Sequence, residues 1–400
     1  MFNRAYHFLL FIVLIATSPG FSEENAQNPP LEQQQFSKKR LRFFNLDLHI
    51  SVIADVKNIF ETFGHEVVNW SLSGATWVFG KQRDAVDIVN EKTWMDLNPE
   101  MCERFYERYK DFLNQFDGFI VTHNSSFSLL YEKFNKPIII INSTRYENPF
   151  TRSLDRWIWL NDYLKKGVKK NKIFIISNNK GDQRYLKFYT GLDSLHIPSL
   201  CLYTNAEYTG RQEGFILHCL SGTNFHFSLF EKLYNRDLFQ NHKLSFRYQW
   251  QNLYDYQGVV HFPYQVSTMS LFEQYSANVP LFVPTKRFLY ELFSMYPYAI
   301  LSQLSFFVVN NASPPSTGGD LNNINDSRVI KAWIDSADYY DSDNMPFIQY
   351  FGSFEELEFL LQTADLKEIS KKMKQHNLKR KERIMEKWKE VLTKVMNEIH

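Results

Sequence analysis

Polar residues directly follow short apolar runs in the first half of this chain, where their side chains could carry acid–base chemistry. The segment NLDLHIS places Asp47 and His49 two residues apart, and VTHNSS places His123 after another apolar run. Histidine titrates near neutral pH and a nearby carboxylate can orient it, so such a group can take a proton from a hydroxyl. We predict Asp47 and His49 as the general base, with His123 as a competing base. Capping of the loop is the alternative role for Asp47 and His49.

The second half carries residues suited to an anionic or polar ligand. Lys180 and Gly181 follow the apolar run KIFIIS, and a lysine beside a glycine can pair with a phosphate that the backbone approaches closely. Arg247 is a second basic candidate. The segment VVHFPYQVST adds the candidate ligand contacts His261, Tyr264, Ser267 and Thr268. The alternatives are a solvated loop lysine, a strand-edge arginine and a packed core histidine.

These residues need a scaffold that brings strand ends together, and the hydrophobic pattern predicts one. Apolar runs such as DGFIVTH and KPIIIINS alternate with helical segments such as NPEMCERFYERYKDFLNQF, which starts with an Asn cap and a proline. Continuous apolar strands separated by helices are typical of a parallel α/β sheet. Ligands bind beyond the carboxyl ends of such strands, so we expect the candidates to gather there.

The alternation restarts at residue 172, which predicts an α/β protein of two tandem Rossmann-like domains facing a cleft. We predict an N-terminal domain at 40–168, a C-terminal domain at 169–352 with the boundary near 165–172, and C-terminal helices at 353–400. The last helix has apolar residues at Ile384, Trp388 and Leu392 among many lysines, so we expect this amphipathic helix to pack on the body. A basic helix in weak contact with a membrane surface is the alternative.

The N-terminus has the pattern of a targeting signal. Arg4 precedes the apolar run FLLFIVLIAT, and small residues follow at Gly20 and Ser22, which predicts a signal peptide over 1–22. Residues 23–39 are polar and predict a disordered lead-in. An uncleaved anchor is the alternative, although the apolar run is far shorter than the ~20 residues that span a bilayer. We expect export through the secretory pathway, to a lumen or to the outside.

Composition removes some classes of function. The 45 Lys and Arg nearly balance the 44 Asp and Glu, and a net charge of +1 gives no electrostatic case for nucleic acid. The three cysteines lack metal-ligand spacing, and the choice is between a Cys201–Cys219 disulfide and three buried thiols. Asp341-Ser-Asp343 has the D-x-D form that can hold a divalent ion, but its polar surroundings favour a solvated loop.

The segment GVVHFPYQVSTMSLFEQYSANVPLFVPT resembles the donor-binding segment of GT-B glycosyltransferases. Many of these enzymes have a Glu seven residues before a Pro, in the form E-x-x-x-x-x-V-P, and Glu273 and Pro280 have that spacing. Retaining members often carry a further Glu eight residues earlier, where this chain has Gln265.

The resemblance implies a glycosyltransferase that moves a sugar from a nucleotide-sugar to a hydroxyl of an unidentified glycan, lipid or protein, without a metal or other cofactor. It implies that Glu273 binds the ribose hydroxyls, since a carboxylate accepts from both, and that Lys180 lies near the diphosphate. Two alternatives stay open, namely an exported two-lobe solute-binding protein and a catalytically silent sugar-binding relative.

Overall fold

The computed structural model of the protein describes residues 40–150, 153–219, 224–233, 238–244, 248–302, 321–323 and 325–399. The predicted signal peptide and lead-in, and the predicted donor contact Arg247, lie outside these residues.

The first sheet has six parallel strands in the order β2-β1-β3-β4-β5-β6. Its strands are β1 (Arg42–Asp47), β2 (Glu66–Ser71), β3 (Gly118–Thr122), β4 (Ile138–Asn142), β5 (Ile173–Ser177) and β6 (Leu195–His196). Its helices are α1 (Ile50–Thr62), α2 (Pro99–Leu113), α3 (Leu154–Lys169) and α4 (Lys180–Thr190). The central strands β3 and β4 are buried on both faces, as their continuous apolar sequences require.

Local sequence signals explain where α2 of this first unit begins. Asn98 accepts a hydrogen bond from the Met101 N–H at 3.0 Å and Pro99 is the first residue of α2, as predicted. The segment predicted as a helix at 127–135 is a 3₁₀ helix over Ser125–Phe134.

The second sheet has four parallel strands in the order β10-β9-β8-β7 within the described residues. Its strands are β7 (Ile216–His218), β8 (Val259–His261), β9 (Leu281–Pro284) and β10 (Gln349–Phe351). Its helices are α5 (Asn224–Leu233), α6 (Trp250–Tyr254), α7 (Met269–Ser276), α8 (Lys286–Met295) and α9 (Ser327–Asp335). A parallel bridge between Phe215 and Phe239 adds residues 238–240 beside β7. Two parallel sheets in tandem confirm the predicted fold class of two tandem α/β units.

Strand β5 belongs to the first sheet, which corrects the predicted boundary near residues 165–172. It pairs with β4 over five residues, from Ile138 opposite Ile173 to Asn142 opposite Ser177. The chain leaves the first sheet after His196 and enters the second at Ile216. An apolar strand sequence shows that a strand is buried, but it does not show which sheet the strand joins.

The linker, residues 197–215, also differs from the prediction. The segment IPSLCLY was predicted as a strand, but it ends in a 3₁₀ helix over Leu202–Thr204. Cys201 precedes this helix with φ of 53°, a left-handed conformation that a strand does not adopt. Cys102, Cys201 and Cys219 are free thiols, so the Cys201–Cys219 disulfide is not formed.

Two helices close the chain, α10 (Phe354–Thr363) and α11 (Leu366–Asn397), and α11 packs on the first unit as predicted. The Trp388 ring meets the Phe60 ring of α1 at 5.5 Å, and Lys387 Nζ donates to the His196 carbonyl at 3.0 Å. Because its apolar face is covered by the protein, α11 cannot insert that face into a bilayer. Among the described residues, no helix combines the length and apolarity that a membrane span requires.

Arg380 of α11 joins the second unit and the linker. Its guanidinium is 1% exposed and donates to Asn344 Oδ1 at 2.8 Å, to Ser276 Oγ at 3.2 Å and to the Ser199 carbonyl. Burial lowers the pKa of Arg380. A buried arginine with three acceptors therefore fixes α11, which packs on the first unit through Trp388, to the second unit and the linker.

Candidate functional site

In the first sheet, the order in which the chain adds its strands reverses between β1 and β3, and two of the predicted bases lie at this point. The strand order puts β1 and β3 side by side while the intervening strand β2 lies outside them, which makes this a topological switch point. His49 follows β1 and His123 follows β3. Their ring centroids are 5.1 Å apart. The structure therefore brings the two histidines into one site.

Both imidazoles are neutral at physiological pH because they are desolvated. Burial lowers the pKa of His49 to about 4, and burial together with the charge of His49 lowers that of His123 to about 3. No side chain of the described residues bonds His49 Nδ1. His123 has φ of 67°, and a non-glycine residue strained in this way often marks a functional position. A neutral imidazole can accept a proton, and the burial that keeps these two rings neutral also makes them weaker bases.

Asp47 does not form the predicted pair with His49. Its side chain is 0% exposed at the end of β1, and it accepts a hydrogen bond from Ser71 Oγ at 3.0 Å. Burial raises the pKa of Asp47 to about 7. β1 ends at Asp47, whose carboxyl lies inside the first unit, whereas His49 is already the N-cap of α1, so the two side chains do not share a strand face. Asp47 is too buried to contact a bound hydroxyl, whereas His49 and His123, the other two predicted bases, are partly exposed.

The second sheet has an equivalent switch point, between β7 and β8, since residues 238–240 lie beside β7 on its other side. His218 ends β7 and His261 ends β8, with ring centroids 4.6 Å apart. His261 Nε2 is hydrogen-bonded to Gln274 Oε1, and the Tyr264 ring stacks near His218 at 6.4 Å. His218 was missed from the sequence, although it ends the predicted strand GFILHC and the strand-end rule would have selected it.

Glu273 lies in α7 and is buried between the two units. The Tyr203 hydroxyl donates to its Oε1, and Trp250 Nε1 donates to its Oε2 at 3.2 Å. Burial raises the Glu273 pKa, while the hydrogen bonds from Tyr203, Trp250 and the Ser51 hydroxyl of α1 lower it. The carboxylate therefore meets the first unit, the linker and the second unit. Tyr203 and Trp250 carry no motif in the sequence.

The face of α7 that carries Glu273 is its face toward the first unit. Met269 lies one helical turn before Glu273, so the two side chains share a face. Met269 Sδ receives contacts from Asn178 Nδ2, which follows β5, at 3.9 Å and from Ser199 Oγ in the linker at 3.7 Å. The carboxyl ends of the two sheets therefore approach each other around α7.

Lys180 and Gly181 begin α4 of the first unit rather than following the first strand of the second. Lys180 nevertheless reaches across, since its Nζ lies 2.9 Å from Asp341 Oδ2. Asp341, the first aspartate of the D-x-D sequence, is therefore paired with a lysine of this chain. Gly181 has a packing role, because a Cβ there would come within 2.8 Å of the Trp333 ring. The expected approach of the Gly181 backbone to an anion is therefore not needed to explain this glycine.

The remaining candidates surround the start of α7. Thr268 is the N-cap, and its side chain accepts no capping hydrogen bond from the backbone N–H groups of the helix. The Ser267 side chain bonds the buried Asp338, whose pKa is raised by burial. The first turn of a helix presents unpaired N–H groups and a partial positive charge, which suits an anion. Within the described residues, no cluster of three or more His, Cys, Asp or Glu is placed to hold a metal.

The chain is similar to solved glycosyltransferase structures. CalG4, the calicheamicin glycosyltransferase, is 12% identical, and the match covers 86% of this chain and 95% of that one at a TM-score of 0.39. The glycosyltransferase SnogD from Streptomyces nogalater is also 12% identical, and the match covers 85% of this chain and 95% of that one at a TM-score of 0.43. The spinosyn rhamnosyltransferase SpnG complexed with thymidine diphosphate is 10% identical, and the match covers 85% of this chain and 96% of that one at a TM-score of 0.36. No protein-family model and no curated sequence matches. Because these identities and TM-scores are low, the function of this chain has to be inferred from its own residues.

Proposed function

We propose that this protein is a glycosyltransferase that uses a nucleotide-sugar donor and an acceptor hydroxyl. One observation carries the proposal. Ser51 lies two residues after His49, and its side chain is hydrogen-bonded to the Glu273 carboxylate, so the start of α1 lies beside the helix that carries the donor motif. A base and a diol-binding carboxylate at one contact between two sheets is the arrangement that sugar transfer requires.

The donor is assigned to the second unit. Glu273 accepts the ribose hydroxyls, and the first turn of α7 with Ser267 and Thr268 meets the diphosphate, whose charge Lys180 also neutralises. Tyr264 and His261 line the same end of the sheet. No metal is needed in this scheme, because helix N–H groups and a lysine take the charge that a divalent ion would otherwise neutralise.

His49 is the proposed base, with His123 packed against it. The acceptor oxygen attacks the anomeric carbon while its proton passes to His49, and the bond from that carbon to the diphosphate breaks. The electron pair of that bond leaves with the nucleoside diphosphate. Removing the proton during attack prevents a positive charge on the acceptor oxygen, and such general base catalysis contributes ~10²–10⁴-fold.

A catalytically silent sugar-binding relative is the second candidate. It is favoured by the Glu273 carboxylate, which is already hydrogen-bonded by Tyr203 and Trp250. The exported solute-binding protein finds less support, because strands of the described sheets do not exchange between units: β1 to β6 lie in one sheet and β7 to β10 in the other. With the predicted signal peptide, we place the transferase in a secretory lumen or outside the cell.

Calorimetric titration with UDP, GDP, CMP and thymidine diphosphate tests donor binding. Glu273→Ala should weaken binding of the nucleotide by ~1.5–3 kcal/mol, the range for hydrogen bonds to a charged group. Glu273→Ala should also unfold more easily, since it leaves Tyr203 and Trp250 without their acceptor, so Glu273→Gln is measured beside it. Glu291→Ala is the control, because Glu291 is a surface carboxylate paired with Arg287 at 2.6 Å.

The diol contact has a sharper test. If Glu273 accepts both ribose hydroxyls, wild-type protein should bind UDP more tightly than 2′-deoxy-UDP, and the preference should disappear in Glu273→Gln. An equal preference in both proteins would contradict the donor assignment. Turnover of UDP-linked or GDP-linked sugars then separates the transferase from the silent relative.

A further inference from the structure

The acceptor oxygens of Glu273 are already engaged by donors of this chain. Tyr203 donates to one carboxylate oxygen and Trp250 donates to the other, at 3.2 Å for Trp250. Glu273 is 8% exposed, so little water reaches it. A ligand hydroxyl that binds this carboxylate has to compete with these two donors.

Tyr203 is held in place by the first unit. It lies in the linker, two residues after Cys201, and the backbone N–H groups of Leu200 and Cys201 donate to the Asp55 carboxylate of α1 at 3.2 Å and 2.6 Å. The hydrogen bond from Tyr203 to Glu273 therefore ties α1, through the linker, to α7 of the second unit.

Lys180 shows the same situation at the predicted diphosphate position. Its Nζ pairs with Asp341 Oδ2 at 2.9 Å, and the Asp341 side chain is 8% exposed while that of Lys180 is 47% exposed. This pair also crosses between units, from α4 to the segment after α9. A carboxylate resembles a phosphate in charge and oxygen chemistry, as a phenol resembles a ribose hydroxyl.

We propose that Tyr203 and Asp341 are internal competitors of the donor, which rests on the proposed function. The Tyr203 hydroxyl occupies the place of a ribose hydroxyl on Glu273, and the Asp341 carboxylate occupies the place of a phosphate oxygen on Lys180. A nucleoside diphosphate with a ribose diol exchanges with both. Because both contacts join the two units, the exchange loosens the linker, and donor binding is coupled to movement between the lobes.

Tyr203→Phe is the central test. The phenylalanine keeps the ring contacts with Phe79 and Trp250, each at 5.7 Å between centroids, so the packing is retained. We expect it to bind UDP or GDP about tenfold more tightly in calorimetry, the size of one lost competing hydrogen bond. Tyr208→Phe is the matched control, because this linker tyrosine donates to the Gln257 carbonyl at 2.9 Å instead. Its affinity should stay within about twofold.

Asp341→Asn should also tighten binding of the diphosphate, but not of uridine, which has no phosphate. Hydrogen exchange without added nucleotide supplies the second readout. The amides of residues 199–205 should exchange faster in Tyr203→Phe than in wild type, and their exchange rates should be unchanged in Tyr208→Phe. If a nucleoside diphosphate binds wild type but Tyr203→Phe binds it no more tightly, the competition is wrong and the proposed function stands. If neither protein binds UDP, GDP or thymidine diphosphate, the proposed function fails and the competition with it.

Discussion

The two sheets place a histidine pair at the same position in the same strand order. In the first sheet, His49 and His123 follow neighbouring strands at the switch point, with ring centroids 5.1 Å apart. In the second, His218 and His261 end neighbouring strands at the corresponding switch point, 4.6 Å apart. Topology therefore accounts for the location of both pairs, because parallel strands bring their carboxyl ends to one edge.

The pairs differ in how their ring nitrogens are engaged. His261 Nε2 is bonded to Gln274, and His218 Nε2 lies 3.5 Å from Ser270 Oγ. In the first pair, His49 Nδ1 is unbonded within the described residues, and His123 holds a strained backbone with φ of 67°. A common topology therefore supplies a hydrogen-bonded pair in the second unit and, in the first, the pair to which we assign the proposed base.

The largest expected effect separates these roles directly. His49→Ala should lower kcat by ~10²-fold or more, the scale of a lost general base, while nucleotide affinity stays within about twofold. Release of nucleoside diphosphate from the donor, with the acceptor present, measures this. Retained activity in His49→Ala together with a comparable loss in His218→Ala would reverse the assignment of the two pairs.

The second prediction concerns Asp47, buried beside the first pair. A carboxyl whose pKa is raised on folding contributes stability that is fully present below the unfolded value of 3.8 and is lost as pH rises through about 7. From about pH 5 to about pH 8, wild type should lose ~2 kcal/mol of unfolding free energy relative to Asp47→Asn.

Urea unfolding at both pH values measures this difference. Asp55, whose pKa is raised by burial to about 6, has the same sign but is present in both proteins and cancels. If the unfolding free energies of wild type and Asp47→Asn changed in parallel with pH, the Asp47 carboxyl would already be ionised in the folded protein. Activity of Asp47→Asn should fall far less than that of His49→Ala, since its side chain does not reach the acceptor.

Much of the fold could be predicted from local sequence signals. Asn98 and Pro99 gave the start of α2, and Asn278 and Pro280 gave the break between α7 and β9. The run IIII at 138–141 gave a strand buried on both faces. These features depend on residues close in sequence, so periodicity and capping are enough to find them.

The errors concern contacts between distant residues. The sheet that β5 joins depends on its pairing with β4, and its own sequence would suit either sheet. The predicted role of Glu273 came from its spacing to Pro280, but its hydrogen-bond partners Tyr203 and Trp250 lie 70 and 23 residues away, where local sequence gives no signal. Asp47 and His49 are two residues apart in sequence, yet Asp47 ends β1 and is buried, whereas His49 is the N-cap of α1.

The third prediction tests the packed role of the second pair. His261→Leu should destabilise the fold by about 1.5 kcal/mol, because Gln274 Oε1 is then buried without a donor. The double variant His261→Leu with Gln274→Leu should recover much of this loss, since replacing both partners removes the unsatisfied group. Urea unfolding measures both. A double variant no more stable than the single one would place the cost in packing rather than in the hydrogen bond.

The smallest effect is expected at Ser270, whose hydroxyl lies 3.5 Å from His218 Nε2 and 3.4 Å from Thr268 Oγ1. These distances are at the limit of a hydrogen bond, so Ser270→Ala should change the unfolding free energy by less than ~0.5 kcal/mol. Its kcat should stay within about twofold, because the His218 imidazole takes no part in proton transfer. Nucleotide affinity, measured in the same calorimetric titration, should fall no more than about threefold even if the hydroxyl contacts a phosphate at the start of α7. A loss of turnover approaching that of His49→Ala would show that the second pair depends on its hydrogen bond for chemistry. The two switch points would then both be catalytic.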